Sequence, residues 1–83
     1  MSTTLYASNL PLTATEAVLA TKFEKFGDVV SVRIERDAMG ASRRTAFVEM
    51  LTAAGAKAAI DGLNLASFDG RLMSVYAAVK LRC

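Results

Sequence analysis

The sequence predicts an α+β fold, a four-stranded antiparallel sheet with two helices on one of its faces and the chain order βαββαβ. Four stretches alternate apolar and polar residues with a period of two, two others carry apolar residues at helical spacing, and turn-forming residues separate all six. Each strand therefore has one apolar face and each helix one apolar stripe. Packing both helices on the same side of the sheet buries these surfaces together and leaves the opposite sheet face open. The chain has 83 residues, 53% hydrophobic and 22% charged, which suits one folded domain spanning 1–83 with its core at about 4–80.

The first strand is Thr4 to Leu10, with Leu5 and Ala7 inward, Tyr6 and Ser8 outward, and Pro11 as its end. "TATE" at 13–16 has the form of a capping box, Thr13 as N-cap and Glu16 reaching back. Leu19, Phe23 and Phe26 then follow on one helical face, and Gly27 supplies the stop. In the second strand Val30, Val32 and Ile34 alternate with Ser31, Arg33 and Glu35. "DAMGAS" at 37–42 is a loop, and "RRTAFVEM" at 43–50 is the third strand. Thr52 caps a second helix with Ala56, Ala59, Ile60 and Leu63 as its stripe. "SFDGR" turns into a fourth strand from Leu72 to about Val79, with Met73, Val75 and Ala77 inward.

The open face then carries Tyr6, Phe47 and Tyr76 beside Ser8, Ser31, Arg33, Glu35, Thr45, Glu49 and Ser74. Three aromatics on an uncovered sheet face need explaining, either as ordinary strand-forming residues or as a binding surface. Several classes of function are disfavoured. There is no histidine and one cysteine, Cys83, so a transition-metal site is not expected, nor a disulfide framework. No nucleophile–base pair and no phosphate-cradling glycine loop argue for an enzyme. No apolar run approaches the roughly 20 residues that span a bilayer, and "MSTTLYASNLP" has no secretory pattern. The reading is a cytoplasmic protein without a cofactor. The net charge of +2 is a mild bias toward a polyanion.

Two segments carry a family resemblance. "LYASNL" at 5–10 and "RRTAFVEM" at 43–50 resemble the hexamer and octamer motifs of the RNA recognition motif family. Arg43, Ala46, Phe47 and Val48 match the octamer, whereas Arg44, Thr45 and Met50 depart from it. "LATKFEKFGDVVSVRI", "AKAAIDGLN" and "DGRLMSV" extend the likeness from Leu5 to about Lys80, with Leu65 standing where the family has glycine. The resemblance implies a ferredoxin-like sandwich that binds single-stranded RNA across the open sheet, about two to four nucleotides long.

In that reading Tyr6 and Phe47 stack on bases, at about 1–3 kcal/mol per base. Arg43 meets a phosphate, with Arg33, Lys80 and Arg82 as further candidates. Thr45 stands where an aromatic would pack on riboses, which weakens binding, and Tyr76 partly compensates. Glu35 and Glu49 read as solvated carboxylates, with acceptance of a hydrogen bond from a base amino group as the alternative, and Asn9 as a residue shaping the strand end. The free-standing motif also resembles the small RNA-binding proteins of bacteria. A protein-interaction module using the same face, with Leu72 beside the aromatics, remains the alternative.

Overall fold

The computed structural model describes residues 3–40 and 42–78, with positions 42 and 43 in backbone only. Lys80, Arg82, Cys83 and the expected strand end at Val79 lie outside the described residues. Leu5 and Ala7 are fully buried between half-buried neighbours, the alternation that makes Thr3–Ser8 a strand, β1. Asn9 ends it with a left-handed φ of 60°. Its side chain ties the end to a distant segment, Nδ2 donating to the Leu72 carbonyl at 2.8 Å and Oδ1 accepting from Arg71 Nη2 at 2.6 Å.

Helix α1 is Glu16–Glu24, and its cap corrects the sequence reading. The N-cap is Thr15, whose hydroxyl accepts from the Val18 N–H at 3.2 Å, and Thr13 instead donates to Asp69 at 2.9 Å. The chain first makes a turn in which the Ala14 N–H donates to the Pro11 carbonyl at 3.1 Å, and that turn buries Ala14. Only after it does the backbone extend at Thr15 and enter the helix, burying Leu19 and Phe23. The helix closes at Lys25, so Gly27 is not its stop.

Strand β2, Val29–Arg36, departs from strict alternation at its start. Val29 pairs with Met50 and Ser31 with Glu49, so Val30 is an extra residue in a bulge and is 51% exposed. Val29 packs on the core in its place, with Val32 and Ile34 beyond it. A bulge inserts one unpaired residue and flips the faces on either side. Strand β3, Ser42–Met50, has Ala46, Val48 and Met50 fully buried. Helix α2, Ala53–Leu63, starts as expected at Thr52, whose hydroxyl accepts from the Gly55 N–H at 3.0 Å. It buries Ala56 and Ala59, with Ile60 and Leu63 partly covered.

A short strand absent from the sequence reading precedes the predicted fourth strand. Ala66–Phe68 forms β4, a turn at Asp69 and Gly70 reverses the chain, and Arg71–Ala77 forms β5. The sheet therefore has five strands in the order β2-β3-β1-β5-β4, and the paired strands are antiparallel. β4 is short enough that its alternation spans hardly more than one period, which is why composition reads it as turn. Met73 and Val75 point inward as expected, whereas Ala77 is exposed at the strand end. Both helices lie over the face that carries Leu5, Val48, Met50 and Val75. Among the described residues no element covers the other face.

Candidate nucleic-acid interface

β1 runs through the middle of the sheet, so its outward residues have neighbours on both sides. The register sets Arg33 opposite Phe47, Phe47 opposite Tyr6, and Tyr6 opposite Tyr76. One row across four strands thus reads Arg33, Phe47, Tyr6, Tyr76. The Tyr6 and Phe47 ring centroids are 4.9 Å apart, and those of Tyr6 and Tyr76 are 5.4 Å apart. These separations suit attractive aromatic pairs, worth about 0.5–1.5 kcal/mol each beyond buried area. The rings are tilted by 56° and 55°, so they do not form a flat shelf. Each presents its own face, an arrangement suited to bases that are splayed apart.

Tyr6 and Phe47 are half-buried and Tyr76 is 51% exposed. Arg33 is exposed at the end of the row. Thr45 is half-buried on β3, and its hydroxyl donates to Glu35 Oε1 at 2.7 Å. The Tyr6 hydroxyl donates to the same oxygen at 3.2 Å. Glu35 is therefore not a freely solvated carboxylate: it fixes the outer end of the Tyr6 ring and the side chain of Thr45. Sequence reasoning placed Glu35 on this face but missed this role. The available signal was the alternation that sets it beside Thr45, together with the reach of a tyrosine hydroxyl across two strands.

The other carboxylate has a similar local partner, Ser31 donating to Glu49 Oε1 at 3.3 Å. Arg33 sits between these two acidic corners on β2, and it lines an open depression with Thr4, Ser31, Phe47 and Glu49. Of the remaining predicted residues, Arg43 is described only in its backbone, within the irregular start of β3, and Lys80 lies outside the described residues. The next residue, Arg44, takes a left-handed φ of 62°, and its carbonyl accepts from the Leu10 N–H at 3.0 Å. Among the described residues, no group of three or more His, Cys, Asp or Glu side chains is arranged to hold a metal ion, and no helix is long and apolar enough to cross a membrane.

A helix-backed sheet with aromatics on its adjacent strands β1 and β3 is the form of one known class of domain. The chain matches the family model described as RNA recognition motif over residues 5–74, and it belongs to that family. It is 42% identical over 62 residues to RNA-binding motif, single-stranded-interacting protein 1 of Mus musculus, covering 75% of this chain and 15% of that protein. The chain thus spans only about a seventh of that relative's length. Among solved structures it is similar to RNA binding protein PG1, with a TM-score of 0.90 and 32% identity over 96% of this chain and 98% of that one. It is also similar to the Sxl-lethal protein in a complex with RNA, with a TM-score of 0.86 and 39% identity over 92% of this chain and 47% of that one.

Proposed function

We propose that the open sheet face binds short single-stranded RNA, about two to four nucleotides, by stacking and phosphate contact. The observation that carries the proposal is the uncovered cross-strand row Arg33, Phe47, Tyr6, Tyr76. Tyr6 and Phe47 each support a base, and Tyr76 offers a third ring on the far side of β1. Arg33, Arg43 and Lys80 meet phosphates. Thr45 supplies a hydroxyl where an aromatic would have packed on a ribose, which lowers affinity. Family membership and the likeness to an RNA complex support this reading. The function is binding without catalysis. Its setting is cytoplasmic, a proposal that rests on the low cysteine count. The mouse relative lends no support to a bacterial source.

An amide NMR titration with mixed-sequence RNA tetranucleotides tests the proposal. Shift changes should concentrate on the backbone of β1, β3 and β5 around Tyr6, Phe47 and Tyr76. Changes confined to α1 and α2 would place the binding surface on the wrong side of the sheet. No change with any RNA, together with capture of a protein partner sensitive to Tyr6→Ala, would favour the protein-interaction reading.

A further inference from the structure

We infer that Glu35 selects the base, favouring those with an exocyclic amino group over uracil. The inference rests on the RNA-binding reading of the open face. Thr45 and Tyr6 each have one hydroxyl proton, and both protons are directed to Glu35 Oε1, at 2.7 and 3.2 Å. A hydroxyl with its proton committed has only lone pairs left to offer, and an ionised carboxylate is an acceptor throughout. The corner formed by Glu35, Thr45 and Tyr6 is thus made of acceptors, beside the two central rings. Among the described residues no cation pairs with Glu35. Thr45 is smaller than the aromatic that the family pattern has at this position.

A base stacked on Phe47 or Tyr6 turns its edge, not its face, toward this corner. Cytosine, adenine and guanine can each direct an amino N–H at the carboxylate, as glutamate accepts from the cytosine amino group elsewhere. Uracil offers one N–H flanked by two carbonyl oxygens, and those oxygens face the negative charge. The same charge disfavours a phosphate above Glu35, so the strand is expected to place bases rather than backbone over this corner.

Cytidine and uridine tetranucleotides are a suitable pair, since they have rings of equal size and differ in the amino group. Fluorescence anisotropy with the full chain should give binding about five- to tenfold tighter for cytidine than for uridine. Glu35→Gln offers a donor as well as an acceptor, so the ratio should fall to within about twofold. The ratio is the readout because removing a negative charge raises affinity for both RNAs alike. Equal binding of the two by the parent would overturn the inference, as would an unchanged ratio in a folded Glu35→Gln variant. If that variant unfolds in a thermal melt, the parent ratio decides. A parent that binds neither these nor an adenosine tetranucleotide overturns the function itself, and the selectivity with it.

Discussion

Leu65 holds a left-handed backbone, with φ of 64°, at the position where the family pattern has glycine. Its N–H donates to the Met73 carbonyl at 2.6 Å, which ties the conformation to β5, and its side chain is 61% exposed. A side chain with a Cβ in this region costs about 1–2 kcal/mol, partly offset by its smaller entropy loss on folding compared with glycine. Leu65→Gly should therefore stabilise the domain by about 0.5–1 kcal/mol, raising Tm by about 2–8 °C. An unchanged or lower Tm would mean that contacts of the leucine outweigh the strain. The departure from glycine was legible in the sequence, but its cost was not, because φ depends on the bond to Met73. Asn9 was read correctly as a residue shaping the strand end. The N-cap was misplaced because two threonines compete, and the turn at Pro11 decides between them. Glu35 was misjudged because single-residue charge says nothing of the hydroxyls that converge on it.

At the scale of elements, period-two and helical patterns made β1, β2, β3, β5 and both helices legible, since each needs only one buried face, whereas the three-residue β4 was too short to show its alternation. The details that depend on two elements meeting were not legible. Gly27 was read as a helix stop, yet it is a contact point: a Cβ there would lie 3.0 Å from the Gly55 Cα in α2. Neither partner is a movable side chain tip, so Gly27→Ala should force the backbones apart and destabilise the fold by about 1–3 kcal/mol, read as a lower urea midpoint. An unchanged midpoint would show that the α2 start can retreat without loss. Gly62 serves a similar purpose, since a Cβ there would come within 2.4 Å of the Phe26 ring. The bulge at Val30 escaped the alternation because register is set between strands, by the pairing with Met50 and Glu49. The same between-strand register was needed to align Arg33, Phe47, Tyr6 and Tyr76 in one row.

At the scale of the whole molecule, the net charge is +2 and the binding face has an arginine between two carboxylates. About two or three phosphates are then neutralised, so the log–log dependence of affinity on salt should have a slope near −2, at roughly −0.7 per contact. A slope near −6 would locate binding on a basic surface away from the sheet. The aromatic row itself is tested by Tyr6→Ala, Phe47→Ala and the double variant, titrated with single-stranded RNA and melted in parallel. Both rings lie on the face away from the buried core, although their centroids are only 4.9 Å apart. All three variants should stay folded, with Tm only modestly lowered. Each single change should weaken RNA binding by roughly 1–2 kcal/mol, about five- to thirty-fold, and the double variant should bind almost nothing. Folded variants that bind RNA as tightly as the parent would contradict stacking on this face, and an unfolded double variant would contradict the placement of the rings on its surface.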